Sequence, residues 1–133
     1  MVYNAFNTPF QETTATPRTI VGVVLHFDVN GSGAPVARVE MHRGATGEPR
    51  GSSQNDLQAE FLGDYVYATA TNDYGAAVWN DARNAADCPA IDAWRMSLRT
   101  GDELPRPAPQ QQCPATFGNT DIFGWSAADP TAP

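Results

Sequence analysis

Glycine and proline interrupt this chain so often that no long regular element fits between them. There are 11 of each in 133 residues. An interior glycine costs a helix about 1 kcal/mol and an interior proline about 3 kcal/mol. Long coiled coils and helical bundles are therefore excluded, as is a collagen. What fits between the breaks is short β-strands joined by turns. No apolar run approaches the roughly 18 residues of a membrane span, so no membrane partner is expected.

The apolar positions follow a strand period. Residues 19–27 form a continuous β-branched run and read as a buried strand. Val21, Val23, Leu25 and Phe27 share one face; Ile20, Gly22, Val24 and His26 share the other. Residues 28–35 are rich in turn formers. Residues 36–42 then alternate, with Ala37, Val39 and Met41 inward and Arg38, Glu40 and His42 outward. Residues 19–42 thus read as a β-hairpin. In the loop after it, Ser53-x-x-Asp56 reads either as a helix cap or as ordered loop.

Residues 58–98 read as a three-stranded meander. The first strand, 64–71, puts Tyr65, Tyr67 and Thr69 on one face and Val66, Ala68 and Ala70 on the other. The second, 76–83, puts Trp79, Asp81 and Arg83 on one face. The third, 91–98, carries Trp94, Met96 and Leu98. Residues 99–133 form a Pro-rich tail of little periodicity, docked through Phe117, Ile122, Phe123 and Trp125.

Fifteen acids face eight bases, all arginine, for a net charge of −7. An acidic chain without a basic cluster does not suit a phosphate backbone, so no nucleic-acid partner is expected. Cys88 and Cys113 are each followed by proline. No Cys-x-x-Cys or Cys/His quartet accompanies them, which argues against zinc. They read as a disulfide closing about 25 residues, which contributes roughly 3 kcal/mol; two buried thiols are the alternative. The bond implies an oxidising, extracellular compartment. The first seven residues lack the basic and apolar regions of a secretion signal, so the chain reads as starting inside a longer protein.

Few constellations carry chemistry. Asp28-x-Asn30-x-Ser32-Gly33 opens like a calcium loop, but Val39 stands where a bidentate Glu is needed, so a hairpin turn is the reading. Asp81 and Arg83 either clamp an anionic ligand, because a guanidinium fork meets a carboxylate bidentately, or form a structural ion pair, the favoured reading. Glu60, Asp64 and Tyr65 surround a glycine break. A tyrosine beside a carboxylate is a known glycosidase nucleophile; the plainer reading has Asp64 capping backbone amides and Tyr65 packing. His26 and His42 lie on neighbouring strands; two histidines are too few for a metal site unless acids are placed beside them, so solvent-facing or packed histidines are the reading and no metal is expected. No phosphate loop, Gly-x-Ser-x-Gly elbow or His-Glu-x-x-His is present, and no cofactor is expected.

The run Glu60-Phe61-Leu62-Gly63-Asp64-Tyr65, then a strand, the turn Asn72-Asp73-Tyr74-Gly75 and Ala77-Val78-Trp79-Asn80-Asp81-Ala82-Arg83, resembles sialidase-like proteins with BNR repeats. Residues 71–79 approach that family's Ser-x-Asp-x-Gly-x-x-Trp box, with Trp79 one residue late. The wider chain is similar to the closing portion of secreted bacterial members. The resemblance implies an all-β fold, a partial β-propeller of about two four-stranded antiparallel blades with a long irregular C-terminal tail. A propeller needs at least four blades, so the missing ones would come from the same parent chain or from self-association. The resemblance further implies part of an exo-sialidase-like glycoside hydrolase, inactive as an isolated chain. Glu60, Tyr65 and Arg83 would then be catalytic, and Asp64, Tyr67, Trp79 and Asp81 would contact the carbohydrate. The alternative is a non-catalytic propeller module that binds a glycan or a protein, with Tyr65, Tyr67 and Trp79 as stacking surface.

Overall fold

The computed structural model describes residues 1–6, 18–52, 57, 58, 62, 63 and 66–131. Two three-stranded antiparallel sheets carry the architecture, in line with the all-β expectation. The first sheet is β1 (Val2–Phe6), β2 (Ile20–Val29) and β3 (Pro35–Arg43), in that order. The second is β4 (Tyr67–Ala70), β5 (Tyr74–Asp81) and β6 (Asp121–Ala128). Between β5 and β6 run α1 (Pro89–Thr100) and the single-turn α2 (Pro109–Gln112).

The β2–β3 hairpin closes as its turn residues require. Asn30 Oδ1 accepts from the backbone N–H groups of Ser32 and Ala34, both at 3.0 Å, and from Ser32 Oγ at 2.7 Å. This side-chain turn is what the calcium-like run builds. β2 is the central strand, and Ile20, Val23, Val24 and Leu25 are buried on it.

Alternation on β3 breaks where the pairing slips. Val24 faces His42, but Leu25 faces Glu40, leaving Met41 as an extra residue. Such a bulge resets which side the following residues take. His42, expected outward, therefore packs between the indoles of Trp79 and Trp125, with ring centroids 5.6 and 6.1 Å away. Ala37 and Val39, expected inward, are exposed, because that half of β3 is an uncovered sheet edge.

Two expectations fail in the C-terminal half. Residues 91–98 are helix, not strand. Pro89 supplies a helical φ at the first turn, and Asp92 sits where the helix dipole favours an acid. Gly101, at φ 82°, supplies the left-handed stop that a side chain would resist. Ile91, Trp94 and Ser97 recur every three residues and are the buried face; the alternation of Trp94, Met96 and Leu98 is incidental to it. The third strand of the second sheet comes instead from the tail. β6 pairs with β5 along its whole length, from Tyr74 opposite Ala128 to Asp81 opposite Asp121. The tail is thus not irregular, and each sheet has three strands among the described residues rather than four. Ser53 and Asp56 lie outside the described residues.

The sheets pack face to face through Val2, Val24, Ala77 and Trp79. Phe123 and Trp125 join this core from β6, whereas Ile122 points to the opposite face and is exposed. Gly22 makes the approach feasible: a Cβ there would fall inside the Trp79 indole. A second core of Leu57, Cys88, Ile91 and Trp94 lies beneath α1, with Phe117 packed on it. The Cys88–Cys113 disulfide crosses this core. No described helix is long and apolar enough to cross a membrane.

Candidate functional site

The inner face of the second sheet is large at one end and small at the other. Trp79 is paired with Phe123, and Ala77 with Trp125; further along, Gly75 is paired with both Ala70 and Ala127. The bulky end props the sheets apart, and the small end does not fill the space between them. The result is a cleft of about 400 Å³, with Val24 and Met41 on one side and Ala70, Gly75 and Trp125 on the other. That volume falls in the range of small-ligand sites, roughly 300–1,000 Å³.

Polar groups converge in this cleft. His26 and Asp28 are alternate residues of β2 and so project to the same side. His26 Nε2 and Asp28 Oδ1 share a hydrogen bond of 2.9 Å, and Asp129 Oδ1 lies 3.9 Å from the same nitrogen. Thr131 ties the carboxylates together: its hydroxyl donates to Asp28 Oδ1 at 3.0 Å and its N–H to Asp129 Oδ1 at 2.7 Å. The Asp129 N–H in turn donates to the Asp73 carbonyl at 2.9 Å, which anchors the end of β6 to the β4–β5 turn. Trp125 adds an aromatic ring. Among the described lining residues there is no arginine, and the Met1 amino group donates to the Leu25 carbonyl at 2.8 Å. No described group of His, Cys, Asp and Glu has the arrangement to hold a metal. The cleft offers carboxylate acceptors, an imidazole and the Trp125 ring, the groups that engage hydroxyls and C–H faces.

The residues singled out by sequence fall elsewhere. Glu60, Asp64 and Tyr65 lie outside the described residues. Trp79, Asp81 and Arg83 do come together. Arg83 donates from Nε to Asp81 Oδ1 at 2.9 Å and from Nη2 to Oδ2 at 2.7 Å. Its backbone N–H adds a bond to Oδ1 at 2.8 Å, and the Trp79 indole N–H reaches Oδ2 at 3.1 Å. Burial opposes ionisation of Asp81, but these donors prevail and hold its carboxyl below the usual range. The bond to Asp81 likewise raises Arg83. The guanidinium also lies over the Phe123 ring, 3.9 Å from its centroid. Four donors on one carboxylate make a structural tie between the end of β5 and the chain that follows. Tyr67 pairs with Val78 and is exposed on the opposite face of the sheet from Trp79, so these four residues do not form one surface.

A second charged cluster ties the 3₁₀ turn at Pro49–Gly51 to α1. Arg50 meets Asp92 Oδ2 at 3.2 Å, Asp87 Oδ2 at 3.2 Å and Glu48 Oε2 at 3.3 Å. Burial raises the Asp92 carboxyl above its ordinary range; Arg50 opposes the shift and Asp87 adds to it.

Asp129 and Thr131 were not among the sequence candidates, and Asp28 and His26 were weighed only as calcium-loop and metal ligands and read instead as turn and packing residues. The alternation of His26 and Asp28 on a strand signals half of the site. Asp129 carries no such signal, because its approach depends on β6 pairing in the tail. Comparison of the chain with protein-family models, curated proteins and solved structures gives no match.

Proposed function

We propose that this chain is a secreted, non-catalytic carbohydrate-binding module whose ligand is a neutral glycan seated between the two sheets. The carrying observation is the cleft itself, with His26, Asp28 and Asp129 meeting inside it. Carboxylates accept hydrogen bonds from sugar hydroxyls, and the Trp125 ring suits the apolar face of a pyranose. An anionic sugar would meet two carboxylates with no arginine among the described lining residues, in a chain of net charge −7. Arg83, which a sialoside-cleaving site would need free, is closed on Asp81. These points favour a binding module over a glycosidase.

The disulfide supports secretion, since such bonds persist in oxidising compartments. In the same proposal the two sheets are incomplete neighbouring blades of a β-propeller. Their face-to-face stacking through Val24, Ala77 and Trp79 supports this, and further strands would have to complete each blade.

The test is a glycan array of neutral and sialylated oligosaccharides, followed by titration calorimetry on the best ligand. Ala127→Phe fills the cleft and should abolish binding. Asp28→Asn removes one charge-assisted hydrogen bond, about 1.5 kcal/mol, and should weaken binding about tenfold. Absence of any neutral ligand, or binding unchanged by Ala127→Phe, overturns the proposal. Turnover of a fluorogenic sialoside would favour the glycosidase instead.

A further inference from the structure

The run that opens like a calcium loop has a second pattern inside it. Asn30-Gly31-Ser32 reads Asn-x-Ser with a residue other than proline between, the one triplet in the 133 residues to fit Asn-x-Ser/Thr. N-glycosylating transferases accept that pattern, which lies on surface loops of exported proteins. Neither Asn30 nor Ser32 lines the cleft.

The fold meets what a modified asparagine requires. Every residue from Val29 to Glu40 is exposed. A Cβ built on Gly31 or on Gly33 would meet nothing within 4 Å, so open space surrounds the turn and leaves room for an oligosaccharide. The turn also holds Asn30 by one atom. Oδ1 accepts from the Ser32 N–H, the Ala34 N–H and the Ser32 hydroxyl, and none of these bonds uses the amide nitrogen. A glycosylated amide keeps its carbonyl oxygen, so substitution at Nδ2 leaves all three bonds in place. Val29 and Val36 stand at the same tip, 62% and 64% exposed, where a bulky hydrophilic group would shield apolar surface. The tip is an end of the first sheet rather than an edge strand, so a glycan there leaves both edges open to further strands of a blade.

We infer that Asn30 is an N-glycosylation site. The donor is an oligosaccharide carried on a lipid diphosphate. The Asn30 Nδ2 displaces the diphosphate at C1 of the first sugar: the C1–N bond forms, and the C1–O bond breaks. The lipid diphosphate leaves with that electron pair, and one Nδ2 proton passes to a base of the transferase. Nothing is oxidised or reduced. Because this transfer accompanies export, the inference rests on the proposed secretion; it is independent of what the cleft binds.

Mass spectrometry of the full chain from its native cells, with free thiols alkylated at harvest, tests it. Trypsin cleaves after Arg18 and Arg38 and releases residues 19–38 as one peptide. The expected peptide carries an oligosaccharide mass that a glycan-releasing amidase removes. Ser32→Ala keeps both backbone bonds to Oδ1 and should lose the glycan completely. Ser32→Thr keeps the hydroxyl and should retain it, with circular dichroism confirming that both variants fold. A bare peptide from a chain whose Cys88 and Cys113 are bonded overturns the inference and leaves secretion standing. A bare peptide from a chain with both thiols alkylated overturns secretion as well. A sugar mass that survives Ser32→Ala overturns the assignment to Asn30.

Discussion

Replacing Gly22 by alanine adds one methyl group to the centre of β2, a change that would ordinarily help a strand by up to about 1 kcal/mol. Here the methyl would occupy space held by the Trp79 indole, overlapping Nε1, Cδ1 and Cε2. The indole cannot retreat freely, because its other neighbours include the His42 ring and its N–H is bonded to Asp81. Overpacking of this kind costs about 1–3 kcal/mol. Displacing the indole also breaks its hydrogen bond to a buried carboxylate, about 1.5 kcal/mol or more. The expected loss is about 3–4 kcal/mol in urea unfolding followed by far-ultraviolet circular dichroism. The decisive control is the same substitution in a Trp79→Ala background. Trp79→Ala alone should cost about 3–5 kcal/mol, but with the ring gone Gly22→Ala should be neutral or mildly stabilising. The coupling between the two sites should therefore be about 3 kcal/mol. If Gly22→Ala costs under about 0.5 kcal/mol next to an intact Trp79, or costs the same in both backgrounds, the indole does not lie on Gly22 and the account of sheet stacking fails.

Three further outcomes follow from the same physics. Reducing the Cys88–Cys113 bond should cost about 3 kcal/mol by loop entropy and lower Tm by about 10 °C in a calorimetric scan; an unchanged melt would show that the second core holds the loop unaided. Arg95 donates to the carbonyls of Leu57 at 2.8 Å and Ser52 at 3.3 Å, so Arg95→Met should cost about 2 kcal/mol, and wild-type stability in urea would refute that role. The two buried carboxyls should act in opposite senses across pH ~3 to 7. An unfolded aspartate titrates near 3.9. Asp81 is held lower in the fold, so its contribution is complete above that value and lost as pH falls through the folded one. Asp92 is held higher, so its contribution is complete below the unfolded value and declines as pH rises through the folded one. Asp81→Asn should therefore flatten the acid limb of the stability curve. Asp92→Asn should gain on wild type as pH rises; a variant curve parallel to wild type would contradict either assignment.

What could be read from the residues in order was local. A continuous β-branched run marked β2, and alternation marked β4 and β5, because a strand exposes its faces with period two whatever it packs on. Asn30 and its neighbours marked the hairpin turn, whose bonds span only a few residues. The two-residue spacing of Asp81 and Arg83 brought their charges together, and the cysteines paired as read. The helix at Pro89–Thr100 was also legible, in Pro89, Asp92 and Gly101, but a short apolar run fits either period and the strand reading prevailed.

The rest depended on contacts between distant parts of the chain. β6 is marked only weakly in its own sequence and becomes a strand by pairing with β5. The bulge at Met41 moved His42 from solvent to the indoles, and no composition rule announces a one-residue slip. His26 and Asp129 meet across 103 residues of sequence only because one sheet is laid on the other. The cleft exists because bulky and small side chains happen to gather at opposite ends of a shared face. Periodicity and short-range bonding are properties of neighbouring residues and travel with the sequence. Which faces stack, and how much space they leave, is settled by the packing of whole sheets.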